Sequence, residues 1–206
     1  MLLEIRLRAM NLPNIITLSR IPVMFVIVGL MYCSFPGAAT LAFLLFLLAA
    51  VGDWLDGYLA RKQGIVTSFG KLMDALADKI MVLGLVIGFV GLGLVPILLC
   101  LITLCREFLV TGMRMVAAAQ GVIVSADGGG KSKTVTQLIA LGFLLAAPMV
   151  ARDWTAYFGR DFTAFSVKVH QVGGFIFLAG TVLAVWSGTR YIIRFRRVVF
   201  GAPSDR

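Results

Sequence analysis

The sequence predicts an all-α integral membrane protein, a bundle of six transmembrane helices forming one domain over residues 1–206. Three observations carry this. Hydrophobic residues make up 60% of the chain and charged residues only 14%, against roughly 25% charged in soluble domains, and the mean hydropathy is +0.96. Apolar runs of span length, roughly 20 residues each, recur along the chain and, with short loops, account for nearly all of it. Lysines and arginines gather at the ends of these runs and favour one side.

The elements follow in order. Residues 2–10, LLEIRLRAM, mix charged and apolar residues and fit either a short interfacial helix or a frayed N-terminus. Residues 11–32 form the first span, with Pro13 suited to a helix start. A cleavable leader competes for this segment, but Arg20 interrupts the apolar run and the run is long for a leader. Span two covers 38–59 and span three 72–90, and GLGLVP at 91–96 is a turn. Gly84 and Gly88 in span three are a small-residue pattern, read as packing within the bundle rather than a subunit seam. Span four covers 95–118, and 121–130 is a glycine-rich loop. Span five covers 135–149. A polar stretch follows at 150–170, with Trp154 and Tyr157 as interface anchors, then span six at 172–191 and a basic tail. The chain shows no tandem repeat.

A formal net charge of +9 would suggest nucleic acid for a soluble protein. Here the cations read as topology signals and as contacts to lipid headgroups or phosphates, so no nucleic-acid partner is expected. With both termini cytoplasmic, one side collects Arg6, Arg8, Arg61, Lys62, Lys71, Arg114, Lys131, Lys133, Arg194, Arg196 and Arg197. The other side holds Arg152, Arg160 and Lys168, partly offset by Asp153 and Asp161. A bacterial inner (plasma) membrane is the expected location. The cysteines Cys33, Cys100 and Cys105 lie in apolar runs without metal-ligand spacing and read as packing residues. A single histidine, His170, argues against a zinc site or a Ser/His/Asp triad.

The stretch 52–80 reads GDWLDGYLARKQGIVTSFGKLMDALADKI and carries four aspartates between hydrophobic runs. A carboxylate in such a setting is costly unless paired, ligated or facing water, and is functional by default. Asp53 and Asp56 fall at the cytoplasmic end of span two, Asp74 and Asp78 at the start of span three. Residues three or four apart share a helix face, so the two pairs can converge between two helices. Converging carboxylates repel unless a cation intervenes, and four aspartates without histidine or thiolate favour Mg²⁺ or Mn²⁺. Two such ions could clamp a phosphoryl group, with one aspartate left as a base, and Arg61 and Lys62 suit phosphates on the same metals.

The pattern Asp53-x2-Asp56-Gly57-x2-Ala60-Arg61-x8-Gly70-x3-Asp74-x3-Asp78 resembles the signature of the CDP-alcohol phosphatidyltransferases without departure. NLPNIITLSRIP, ADKI, CREFLVTGMR and GKSKT extend the likeness over most of the chain, toward the branch that makes phosphatidylglycerol phosphate. The resemblance implies a six-helix bundle, usually a homodimer, with its active site open to the cytoplasmic interface. It implies a metal pair on Asp53, Asp56, Asp74 and Asp78, with Asp78 also the base for the acceptor hydroxyl. It implies that Gly57, Arg61 and Thr67 contact the CDP portion of the donor, CDP-diacylglycerol. Arg20, on one face of span one with Asn14 and Thr17, either joins them at the nucleotide or a lipid phosphate or snorkels to the interface.

Arg106, Arg114, Lys131 and Lys133 form a basic set that fits a phosphorylated acceptor, glycerol 3-phosphate, gripped by its phosphate. Glu107 pairs with Arg106 or with a neighbouring cation. Within the family, inositol phosphate or phosphatidylglycerol are the competing acceptors. A cation transporter is the competing class, but its acidic residues belong near the bilayer midplane, often on interrupted helices.

Overall fold

A computed structural model describes residues 12–63, 68–120 and 128–200 of the chain. Among them every regular element is helical: α1 Leu12–Tyr32, α2 Ala38–Gln63, α3 Ser68–Gly91, α4 Ile97–Ala119 and α5 Gly128–Pro148. The chain continues from α5 through a π-helical segment, Met149–Trp154, into the single turn α6 Thr155–Phe158, and ends in the long α7 Thr163–Phe200. Residues 2–10, the proposed interfacial helix, lie outside the described residues.

The core takes one stripe from each long helix: Ile27 of α1, Phe46 of α2, Leu85 and Phe89 of α3, Cys100 of α4, Leu141 and Leu144 of α5, and Phe177 of α7. The opposite faces are also apolar. Phe25, Leu48, Leu98 and Phe175 are each about two-thirds exposed or more, where a soluble monomer rarely exposes large apolar patches. Two helices are long and apolar enough to cross a membrane among the described residues, Ser132–Phe158 and Thr163–Arg194.

Helix α1 packs on both α2 and α3, α5 on α7 and more lightly on α2, and α4 on α7. Glycine sets the α1–α3 approach. A Cβ at Gly84 would overlap the Met24 thioether, and one at Gly88 would sit 3.3 Å from Met31 Cε. The Gly84/Gly88 pattern is thus a seam inside the bundle. Helix α3 ends in a Schellman motif, with Gly93 at φ +70° and the Leu94 N–H bonded to the Phe89 carbonyl at 2.9 Å.

Helices α2, α3, α5 and α7 outrun the apolar segments that announced them, while α1 and α4 keep close to theirs. Gly128–Gly130 open α5 instead of closing a loop, and 121–127 lie outside the described residues. Glycine is penalised in a helix interior, but first-turn N–H groups have no intrahelical partner in any case. The polar stretch 150–170 is helical except around 159–162 because its polar groups find partners. Thr40 donates its N–H and hydroxyl to Asp153 Oδ2, at 2.7 and 2.6 Å, which caps the start of α2 from another helix. Arg152 donates to the Cys33 carbonyl, and the Ser166 hydroxyl to the Ala147 carbonyl. Asp161 accepts the Thr163 N–H at 2.8 Å where α7 begins, and the Thr163 hydroxyl and N–H hold its carboxyl below the usual aspartate value. Trp154, half-buried, makes edge-on contacts with Phe158 and Phe162, while Tyr157 is exposed.

Candidate active site

Helices α2 and α3 are joined by only four residues, 64–67. Asp56 lies seven residues before the end of α2 and Asp74 six residues after the start of α3. At 1.5 Å per residue, each is about 10 Å from the link, and Asp53 and Asp78 are each about 15 Å from it. Both pairs therefore sit within three turns of one short connection. Gly57 follows Asp56 on α2. The side chains of Asp53, Asp56, Arg61, Asp74 and Lys131 lie outside the described part of the structure, as does the whole of Thr67.

Asp78 is described, and α1 supplies its neighbour. Arg20, almost fully buried, directs Nη1 to Asp78 Oδ1 at 3.4 Å. Thr17, buried one turn earlier, shares that face of α1. The carboxylate of Asp78 is about one-third exposed, so the pair joins a sequestered cation to an accessible acid. Arg20 does not snorkel away from the bundle; it turns toward α3.

A second charged cluster ties α4, α5 and α7 together. Lys133 and Arg106 both donate to Glu107 Oε1, Arg106 at 2.9 Å. Arg106 also sends Nε to the Ala184 carbonyl at 3.0 Å and Nη2 to the Ser187 hydroxyl at 2.9 Å. Gly188 makes room for this side chain, since a Cβ there would lie 3.2 Å from Arg106 Cγ. Lys133 is almost fully buried on α5, and both α4 and α5 pack against α3, the helix of Asp78. The structure thus brings Arg106, Glu107 and Lys133 together and sets them beside the helix of Asp78. Arg114, two turns beyond Arg106, stands apart from this trio with its guanidinium 5.5 Å from the centre of the Tyr191 ring, within cation–π range.

Ser187, Gly188 and Tyr191 were not singled out from sequence. Their signal was a run of small and polar residues in an otherwise apolar helix, which names a face but not its partner. Below the trio the seam stays polar. The hydroxyls of Thr103 and Thr181 lie 3.5 Å apart, and Gln137 is buried one turn from Lys133.

An open apolar groove of about 360 Å³ runs between α2 and α5, lined on α2 by Phe43, Phe46, Leu47 and Ala50. Those positions form one helical stripe, and the next position three residues on is Asp53.

Comparison with known proteins gives a consistent picture. The family model for CDP-alcohol phosphatidyltransferase matches residues 10–186. The chain is 41% identical over 147 residues to a Bacillus subtilis (strain 168) protein named CDP-diacylglycerol–glycerol-3-phosphate 3-phosphatidyltransferase, covering 66% of this chain and 76% of the relative. It is 43% identical over 135 residues to a protein of the same name from Rickettsia bellii (strain RML369-C), covering 66% and 75%. A probable phosphatidylglycerophosphate synthase of Mycobacterium tuberculosis (strain H37Rv) is 33% identical over 199 residues, 95% of this chain and 87% of the relative.

Proposed function

The chain belongs to the CDP-alcohol phosphatidyltransferase family, and on that premise we propose that it transfers the phosphatidyl group of CDP-diacylglycerol to glycerol 3-phosphate, releasing CMP. The names of the relatives support this acceptor. The observation that carries it is the buried Arg106–Glu107–Lys133 cluster beside the helix of Asp78. A cationic site built into the bundle suits an anionic acceptor and has no use for an uncharged alcohol.

In this reading the primary hydroxyl oxygen of the acceptor bonds to the phosphorus that carries diacylglycerol. The bond from that phosphorus to the CMP oxygen breaks, and the hydroxyl proton passes to Asp78. Holding donor and acceptor side by side lets them react directly, without a covalent intermediate. Gly57, Arg61, Thr67 and Arg20 hold the donor's nucleotide and phosphates. The α2–α5 groove supports the lipid side of the assignment, since an acyl chain lying in it would lead the headgroup toward Asp53. Arg106, Lys131 and Lys133 receive the acceptor phosphate, and Arg114, expected in the same set, stands two turns away on the Tyr191 ring and is left out of the clamp.

The family is generally dependent on a divalent metal. Neither α2 nor α3 contains a cysteine or histidine, so the donor set is oxygen only and fits Mg²⁺ or Mn²⁺. Asp53, Asp56, Asp74 and Asp78 would hold two such ions, which when bound neutralise the pyrophosphate and the departing CMP.

We read α1–α5 and α7 as six membrane crossings, with both termini and the active site on the cytoplasmic side of a bacterial inner membrane and the protein a homodimer. Lys133 and Asp153 lie on one continuous helix, twenty residues or about 30 Å apart, the thickness of the hydrocarbon core. The test is product analysis with purified protein and radiolabelled glycerol 3-phosphate. Equal amounts of CMP and labelled phosphatidylglycerol phosphate are expected, with unphosphorylated glycerol a very poor acceptor. No labelled lipid, or equal use of glycerol, would overturn the assignment.

A further inference from the structure

We propose that Glu107 is a positioning residue for the acceptor phosphate, fixing where Lys133 can aim its remaining N–H groups. The inference rests on the reading that Lys133 binds the acceptor.

Glu107 lies in the middle of an apolar helix and is 8% exposed. A carboxylate so buried is tolerated only with partners, and both of its cations meet at one oxygen, Oε1. The two cations are held differently. Arg106 is fastened to α7 through Ala184 and Ser187 as well as to Glu107, so its plane is fixed by three contacts. Lys133 has a flexible four-carbon stem and three donors, and Glu107 is the anchor the structure gives it. Arg106 therefore braces Glu107 from α7, and Glu107 in turn aims Lys133 from α4 to α5. A lysine held by one donor has two left for phosphate oxygens, and no longer has to be ordered when the acceptor arrives.

Charge matching points the same way. Arg106 and Lys133 bring two positive charges and Glu107 one negative charge. The cluster therefore keeps a net positive charge to offer a phosphate monoester, which carries about −1.5 to −2 at pH 7. Without Glu107, Lys133 would also be pushed away from Arg106.

The role is separable from charge alone. Removing a negative charge should tighten an anionic acceptor if net charge governs binding, whereas loss of aim should weaken it. The experiment is steady-state kinetics on the full-length protein in lipid–detergent micelles, varying glycerol 3-phosphate and CDP-diacylglycerol in turn. Glu107→Gln should raise the KM for glycerol 3-phosphate about tenfold, the equivalent of one misdirected charged hydrogen bond. The donor KM should stay within about twofold. Lys133→Met should raise the acceptor KM at least as much. The double variant should match Lys133→Met, because the effect of Glu107 is routed through that lysine. Glu107→Asp keeps the charge but shortens the reach; it too should raise the acceptor KM, and it carries the test if the Gln protein does not purify folded. An unchanged or lowered acceptor KM in the Glu107 variants, equal losses for both substrates, or multiplicative effects in the double variant would overturn the proposal. If Lys133→Met leaves the acceptor KM unchanged, the underlying reading of the acceptor site fails as well. If Lys133→Met raises it and Glu107→Gln does not, only the role of Glu107 fails.

Discussion

Replacing Asp153 by alanine should weaken the bundle without touching the chemistry. Asp153 is 1% exposed, and its Oδ2 takes both the N–H and the hydroxyl of Thr40 at the start of α2. Hydrogen bonds to a charged group contribute about 1.5–3 kcal/mol each. Thr40 is only half-buried, so water can partly replace the carboxylate and the lower value applies to each bond. The sum is about 3 kcal/mol. For a chain of this size, that corresponds to a fall in Tm of roughly 6–12 °C. Asp153→Asn keeps the shape and one acceptor oxygen, and should cost about 1 kcal/mol. The assay is thermal unfolding of purified protein in one fixed detergent, paired with steady-state kinetics below the transition. Because Asp153 lies about 30 Å along the helix from Lys133, both KM values should match the unaltered protein. A Tm shift below about 2 °C would show that the cap carries no stability. A raised acceptor KM with an unchanged Tm would show that the two ends of the helix running from α5 into the π-helical segment are not independent.

Other outcomes are expected from the same structure. Asp78→Asn should abolish turnover while CDP-diacylglycerol still binds, because an amide cannot accept the proton; turnover near the original level, measured with radiolabelled acceptor, would remove Asp78 as the base. Activity should vanish with a chelator and return with Mg²⁺ or Mn²⁺, and full turnover in buffer verified metal-free would sink the metal assignment. Gly84→Val should destabilise by about 1–3 kcal/mol, since even one Cβ there overlaps Met24, and an unchanged unfolding temperature would refute the close α1–α3 contact. Arg106→Lys should lower stability as well as raise the acceptor KM, because a lysine cannot keep the separate contacts to Ala184, Ser187 and Glu107; a kinetic effect alone would show that the bracing of α4 on α7 is dispensable.

The sequence by itself determined the helical class, the family signature and the spacing of the four aspartates, because these are local properties. Apolar composition and 3.6-residue periodicity are written into each segment, and a fixed spacing on a helix fixes a face. The Gly84/Gly88 pattern was legible for the same reason. Helix limits were less so, since hydropathy registers the apolar part of a helix and not its polar ends. The turns at 149–158 and the start of α7 are helical because Asp153, Ser166 and Asp161 find partners there.

Only the tertiary structure decided which charges meet. Arg20 and Asp78 are 58 residues apart, Glu107 and Lys133 26, Arg106 and Ser187 81, and Thr40 and Asp153 113. Periodicity says which way such a side chain faces, but not which helix stands opposite. That choice comes from packing, where Gly84 admits α1 to α3 and Gly188 admits Arg106 to α7. A charge in an apolar bundle must find a partner of opposite sign or a hydrogen bond. The arrangement of helices therefore made Glu107, read in the sequence as pairing with Arg106 or with a neighbouring cation, the point where both kinds of partner converge.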